Sequence, residues 1–505
     1  MKLLLAFYIC LFNLLSQFSF AQKIVYSEPD KNDTRRMKFE VIGKVAGNFL
    51  IYKNVRAQNL IAVYDNDMKE INLEEHDYVP NDKLINVDFF AYYDFAYMIY
   101  EYQKKNVVYC KAVKLDGMGK KISEVMTLDT SHISFFANNN KIYSTVASED
   151  KNSIMLFKIN SKNKSNYLIT TLLFNNKLDL QKRSSMWLPM DERNDYVDAF
   201  DVDNDGDFVF IKYNRLNSEN IKSASMMWKP VQSDSLIAIS MPINDLLLDE
   251  IHLKIDNPNK RYFATSFYTK KRRDNIEGIY FYVWDKQSRQ PSMQNAVALG
   301  EELRKEAKGE AGIKGAFNNY FIKDIIIKKD GGFIIGSEAY YTTSRYNNWN
   351  RWDYLYGSPY YNSYDYYSYS PFYNSWRYRT NNQSVRYHAD NITILSFDNT
   401  GKMQWNGVIH KEQFDDETDD RISYMTLNTG GQLHYLFNMD EKRALLLNDY
   451  TLTPQGEINR NPTLKNLDRG FEFMPKYGKQ VSSKQAIIPC YYRNYICFAK
   501  IDFNF

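Results

Sequence analysis

Residues 329–341, KDGGFIIGSEAYY, and residues 390–405, DNITILSFDNTGKMQW, carry the pattern on which the fold turns. In the first, Asp-Gly-Gly opens into an apolar run. In the second, an alternating run ends in Asp-Asn-Thr-Gly-Lys and a new run begins. Gly and Asn supply the positive φ angles that tight hairpins need, and short runs of Ile, Phe, Tyr and Thr read as strands. The first kind of turn recurs in AGNFLIYKN from 46, NNNKIYSTVAS from 138, DNDGDFVFIKYN from 203 and TGGQLHYLFN from 429. The second recurs in VKLDGMGKKI from 113 and YTLTPQGEIN from 450, with Gly119, Gly401 and Gly456 at equivalent places. A hairpin, a strand and another hairpin make a four-stranded meander. About eight such units follow one another at intervals of roughly 45 to 70 residues, with one longer gap, and four-stranded repeats of roughly 40 to 50 residues are propeller blades.

The expected fold is therefore all-β, a single closed β-propeller of seven or eight four-stranded blades over residues 22–505. The ends of the chain add to this expectation. SSKQAIIPCYYRNYICFAKIDFNF (482–505) supplies two good strands, and KIVYSEP (23–29) supplies one short strand with no partner near it in sequence. Pairing the two would close the ring and cover a sheet edge. Two stretches interrupt the rhythm. AVALGEELRKEAKGEA (296–311), within an insertion spanning 296–316, reads as a short helix with Glu301 four residues before Lys305. Residues 341–389 form a Tyr-rich loop inserted between two strands of one blade.

The 505-residue chain opens MKLLLAFYICLFNLLSQFSFAQ, one lysine, an apolar run and Ser19-Phe20-Ala21. That is the build of a signal peptide over residues 1–21, too short in its apolar part to span a bilayer. No later segment has the ~20 apolar residues of a spanning helix, so the expected product is exported, without a transmembrane segment. Lys and Arg number 64 against 61 Asp and Glu, for a net charge of +3. With the signs interspersed, nucleic acid is not an expected partner. Beyond the leader there are three cysteines, Cys110, Cys490 and Cys497. An odd number excludes a complete disulfide framework; Cys490 and Cys497 are placed to sit on neighbouring strands, with a bond and two buried thiols both open.

The two opening stretches, with DNITILSFDNTGKMQWNGVIHKEQ as the longer form of the second, resemble uncharacterised secreted propeller-type proteins of Bacteroidetes, most clearly over residues 320–440. The resemblance implies a propeller fold and a cell-envelope setting and brings no catalytic residues with it. Asp234-Ser235-Leu236 matches the short acceptor pattern that such bacteria O-glycosylate. No sandwich-like sorting domain follows AKIDFNF, which favours the periplasm, or the cell surface in association with the outer membrane, over free secretion.

The candidate sites are few. Between residues 340 and 387 lie fourteen tyrosines, together with Trp349, Trp352 and Trp376. Tyr, Trp and Arg dominate binding hot spots because they give large contact area at low entropy cost. Trp349, Trp352, Tyr354, Tyr356, Tyr360, Tyr361, Tyr364, Tyr366, Tyr367, Tyr369 and Trp376 are the expected binding residues, against a plain low-complexity loop. DVDNDGD sets Asp201, Asp203, Asp205 and Asp207 at alternate positions with Gly206 in the turn, the first half of a calcium loop, although Lys212 stands where an EF-hand has its last acid. A hairpin turn is the competing reading, and calcium is the one cofactor considered. The six histidines show no zinc spacing. The acids Asp415, Asp416, Glu417, Asp419 and Asp420 read as a solvated turn, and Glu338 is the single acid worth watching for glycan chemistry. The expected function is that of a non-enzymatic module, a component or accessory of a cell-envelope or outer-membrane complex that binds an envelope protein through the aromatic loop. A carbohydrate-binding or glycan-processing propeller, with a glycan as partner, is the alternative.

Overall fold

Each apolar run becomes a strand that pairs with the next, in antiparallel sheets. The computed structural model describes residues 23–30, 37–56, 58–80, 84–133, 142–163, 165–191, 194–215, 220–272, 274–309, 312–344, 385–416, 418–441, 444–461 and 470–503. The signal peptide expected over 1–21 lies outside the described residues. After β1 (Lys23–Tyr26) come β2 (Lys38–Val45), β3 (Asn48–Val55), β4 (Gln58–Tyr64) and β5 (Glu70–Glu75), the first meander. The second is β6 (Leu84–Ala91), β7 (Ala96–Lys104), β8 (Val107–Leu115) and β9 (Met126–His132). The third is β10 (Tyr143–Ala147), β11 (Ser153–Asn163), β12 (Asn166–Asn175) and β13 (Leu180–Pro189). The fourth is β14 (Asp195–Val202), β15 (Phe208–Arg215), β16 (Ile221–Lys229) and β17 (Ile237–Met241), followed by the bridging strand β18 (Leu247–Leu248). The fifth is β19 (His252–Asp256), β20 (Arg261–Thr269), β21 (Gly278–Asp285) and β22 (Gln290–Ala298), after which comes helix α1 (Glu301–Ala307). The sixth is β23 (Tyr320–Ile327), β24 (Phe333–Ser344), β25 (Val385–Phe397) and β26 (Met403–Ile409), with the short β27 (Phe414–Asp415) beyond it. The seventh is β28 (Tyr424–Asn428), β29 (Leu433–Glu441), β30 (Ala444–Leu452) and β31 (Ile458–Arg460). The eighth is built on β34 (Gln485–Tyr492) and β35 (Tyr495–Asp502), with the short β32 (Phe471–Phe473) and β33 (Lys479–Ser482) both pairing with β34 on one edge and β1 pairing with β35 on the other. The fourth and fifth meanders share one nine-stranded sheet because β18 pairs with both β16 and β20.

The middle strands are apolar on both faces because both faces are covered. In β3, Phe49 and Ile51 pack into a cluster with Ile487, Ile496 and Phe498 of the eighth meander. The alternate residues Leu50 and Tyr52 pack with Val87, Met98 and Val113 of the second. Period-2 alternation thus sends one side chain to each neighbour, and every residue can be apolar. Outer strands have one covered face at most, so β5 (EINLEE) reads polar and lies half in solvent. Eight apolar clusters are each shared by two neighbouring meanders. One of them joins the eighth meander to the first.

The expected pairing of the chain ends is present: Lys23, Ile24, Val25 and Tyr26 stand opposite Asp502, Ile501, Lys500 and Ala499. The last turn of four of the meanders is one repeated five-residue device. In Asp65–Lys69, Asp116–Lys120, Asn175–Asp179 and Asp398–Lys402 the first side chain accepts the N–H groups of the third and fifth residues. The fourth residue has a positive φ, 73° at Gly119 and 81° at Gly401, a conformation that glycine adopts without steric cost. Two expectations shift. The Asn-rich turn expected at 138–141 lies outside the described residues; the strand after it, β10, is the first of its meander and not the second, and the turn that follows it is Ser148–Asn152. The helix is confined to Glu301–Ala307, because residues 296–298 pair with β21 as the end of β22. Sheet pairing outweighs the Ala-rich propensity there.

Candidate interaction site

The strands that flank the Tyr-rich segment outrun their neighbours. β23 pairs with β24 only as far as Ala339, and β26 pairs with β25 only as far as Ile392. Past those points five further pairs, from Tyr340 with Ala389 to Ser344 with Val385, continue as a two-stranded stem. The expected loop of 341–389 is therefore narrower, since 341–344 and 385–389 are strand. Trp349, Trp352, Tyr354, Tyr356, Tyr360, Tyr361, Tyr364, Tyr366, Tyr367, Tyr369 and Trp376 lie outside the described residues.

A bare two-stranded ribbon is marginal in water, and side chains brace this one. The Tyr341 ring stacks on His388 at 4.5 Å and 5°, and its hydroxyl donates to Asp390 Oδ2 at 2.9 Å. Thr343 Oγ1 meets His388 Nε2 at 3.1 Å. β27 adds a short third strand alongside Tyr387 and His388. Of the acid-rich turn expected to be solvated, Asp416 stays exposed and Glu417 lies outside the described residues, while Asp415, Asp419 and Asp420 are engaged at the foot of the stem. Asp415 is held by Arg421, 2.8 Å away, and Arg421 also reaches Glu472 at 2.7 Å. Asp416 pairs with Arg386 on the stem, and Arg386 lies 4.5 Å over the half-exposed Phe414 ring. Asp419 takes Lys476 at 2.6 Å and the Tyr340 hydroxyl at 3.2 Å. Asp420 accepts from Tyr477 at 2.9 Å.

Below the stem lies a buried charge cluster. Glu338 and Lys411 are both fully enclosed, with Lys411 Nζ 2.8 Å from Glu338 Oε1. Lys323 and Ser423 close on the other carboxylate oxygen, Ser423 donating at 2.7 Å. Lys411 also donates to the carbonyl of Ala389, at the base of the stem, and to Gln413 Oε1. Ser423, at φ 72°, is in the left-handed region; Gln413 Oε1 accepts its backbone N–H. Burial alone would raise the Glu338 carboxyl, but Lys323 and Lys411 hold it below its ordinary value. Glu338 is thus an ionised internal counter-charge with no open face to a substrate, and the geometry gives it a role in the stem's foundation.

The aspartate loop has a different occupant from the one expected. Asp203, Asp205 and Asp207 converge, and Lys286 of the fifth meander places its ammonium 2.6, 2.8 and 2.9 Å from the three carboxylates. Asp203 Oδ1 is engaged by the N–H groups of Asp205 and Asp207, the same five-residue turn as at Asp116 and Asp398. Tyr262 donates to Asp203 and Trp228 to Asp207. Asp201 stands apart, accepting from the N–H of Val202, and burial lifts its carboxyl to about 6. Calcium does not fit this loop with Lys286 in place. Among the described residues no group of three or more His, Cys, Asp or Glu side chains is arranged to hold a metal ion. Burial would lower the Lys286 ammonium, yet its bonds to Asp203, Asp205 and Asp207 hold it above the ordinary lysine value. Lys286→Met leaves the largely buried Asp203 and Asp207 without their cation, and the expected loss is about 3 kcal/mol, read from urea unfolding. Chelator is expected to leave the Tm of the unmodified protein unchanged; a fall would mean that an ion holds the loop.

One polar place had no sequence signal. Glu40, on β2 within KFEVIGKV, buries its Oε2 without a hydrogen-bond partner. Burial lifts its carboxyl to about 7, Lys479 opposing and Asp88 adding. The alternation that places Glu40 on its strand is the same as for any half-buried residue, so only its surroundings set it apart.

No known protein family matches the chain, and no curated protein matches it. Among solved structures it is similar to a prolyl endopeptidase at 7% identity and a TM-score of 0.41, over 92% of this chain and 55% of that one. The chain thus spans about half the length of that enzyme. It is also similar to the polysaccharide lyase Uly1, at 6% identity and a TM-score of 0.36, covering 82% and 89% of the two chains. The apocarotenoid oxygenase ACO of Synechocystis, cobalt-substituted, gives 9% identity and a TM-score of 0.35, over 88% and 92%. Likenesses this distant assign no activity to the chain.

Proposed function

We propose that this protein is a non-enzymatic interaction module, an exported component or accessory of a cell-envelope complex that binds an envelope protein through its aromatic insertion. The observation that carries the reading is the braced stem: strands β24 and β25 run past their sheet and hold the ends of the Tyr- and Trp-rich segment at a defined place. Investing paired charges in the stem's foot makes physical sense when the segment it presents is recognised by something else.

The scaffold, in this reading, is a single closed propeller of eight blades. The pairing of β1 with β35 supports it, as does the apolar cluster shared by the eighth and first meanders. First strands of successive meanders also lie against one another, β2 with β6, β10 with β14 and β14 with β19, and β33, which shares the β34 edge of the eighth sheet with β32, lies against β2. Export rests on the leader at residues 1–21, and the envelope setting on the resemblance over 320–440.

The test replaces residues 345–384 by a two-residue Asn-Gly turn between Ser344 and Val385, a connection suited to a tight hairpin. The shortened chain is expected to fold with a Tm within a few degrees of the full one, because the closed pairs end at Ser344 and Val385. Crosslinking in native envelopes followed by mass spectrometry is expected to lose the neighbours that the full chain captures. An unchanged crosslink pattern would overturn the reading, and binding to a glycan array that disappears with the segment would move it to the carbohydrate alternative.

A further inference from the structure

We propose that Cys490 and Cys497 are joined by a disulfide in the exported protein, a covalent clasp across the hairpin that receives the N-terminal strand. The two residues stand directly opposite each other on β34 and β35. Their register is set by the two-residue turn Arg493-Asn494, both at positive φ (49° and 68°), the conformation of a tight hairpin turn. Residues directly opposed in an antiparallel pair have Cα atoms about 4.5–5.5 Å apart, within the span that a disulfide bridges. Both side chains point to the same face, and the sulfurs lie 3.0 Å apart, about 1 Å longer than the bond itself. The third thiol cannot compete, because Cys110 is buried between the second and third meanders.

The chemistry is an ordinary exchange. A Cys490 thiolate attacks the disulfide of a thiol oxidoreductase, forming a mixed disulfide and releasing one of its thiolates. Cys497, as thiolate, then attacks the Cys490 sulfur and releases the second. Two electrons and two protons leave the chain, and the oxidant becomes a dithiol. Both cysteines are fully buried against Met425, Leu427 and Leu436 once the seventh and eighth meanders pack. Burial also pushes the Cys490 thiol well above its ordinary value. The bond therefore forms on the hairpin before it packs, and afterwards the packing shields it from reductants. Its place in the fold gives it a use, since β35 is the strand that β1 pairs with.

The proposal rests on the export read from residues 1–21, so the experiment separates the two. Protein from native envelopes is unfolded in the presence of iodoacetamide without reductant and digested with trypsin, which cuts after Lys484, Arg493 and Lys500. The expected result is a pair of linked peptides, 485–493 and 494–500, that separates on reduction, with Cys110 alkylated. Both peptides found alkylated overturn the proposal, and the N-terminus of the same sample tells which premise failed. In a chain starting at Gln22 the bond itself is wrong; in a chain retaining residues 1–21 the export is wrong. As a second measurement, the oxidised chain is expected to resist release of residues 23–30 by limited proteolysis better than the same chain unfolded, reduced and refolded with its thiols blocked by methylation. Equal release from both overturns the clasp.

Discussion

Glu338→Gln is expected to destabilise the protein by about 3–5 kcal/mol, the usual cost of breaking a buried ion pair by removing one charge. The substitution leaves the ammonium of Lys411, itself fully enclosed, without its carboxylate, and takes the second ion pair from Lys323. Since a whole domain is stable by only about 5–15 kcal/mol, the variant is expected to unfold at much lower urea or not to accumulate at all. Adding Lys411→Met should recover much of the loss, because the uncompensated cation is then gone, and the coupling in the double-mutant cycle reports the pair directly. Strictly additive losses would show that the cluster is not the anchor described. The pH dependence has a definite sign. With the folded carboxyl held below the ordinary value of 4.5, the unfolded chain takes up a proton in that window that the folded chain refuses. Glu338 therefore supports the fold fully at neutral pH, and its contribution falls as pH drops below about 4.5. Glu338→Gln should remove that part of the acid sensitivity.

Deleting residues 22–30 is expected to cost on the order of 5 kcal/mol and to promote association. Three contributions act together. β35 loses the strand on its outer edge and exposes a row of unpaired backbone groups. Tyr26 no longer stacks on Phe471, 4.1 Å away, and the half-buried Ile24 and Val25 leave two separate apolar clusters. Finally Lys53, almost wholly buried, loses Asp30 at 2.9 Å, the nearer of its two carboxylates. Asp30→Ala isolates the last contribution and is expected to cost about 3 kcal/mol. Urea midpoints measure both losses, and size-exclusion chromatography reports the association. A truncated chain that unfolds with the full one would remove the ends from any part in holding the fold together.

Much of this architecture is legible in the strings themselves. KDGGFIIGSEAYY and DNITILSFDNTGKMQW give the first and last turns of a meander, and both sit where their glycines and asparagines place them. KIVYSEP announces a strand in need of a partner, and it finds one in β35. The aspartates of DVDNDGD were legible as a turn and as a cation loop at once, and local sequence offers no way to choose. The choice belongs to Lys286, which arrives from another meander. In the same way Asp415, Asp419 and Asp420 look solvated until Arg421, Lys476 and Tyr477 come to meet them.

By itself, then, the sequence determined the strands, their turns and their order, because alternation and positive φ are properties of a few consecutive residues. The tertiary structure alone decided the fate of the charges. Glu338, Lys411 and Lys323 are ordinary surface-type residues until two neighbouring meanders enclose them, and Coulomb attraction in a desolvated place then makes them an anchor. Partners of that kind are chosen by packing across the fold, at distances along the chain over which no periodicity reaches.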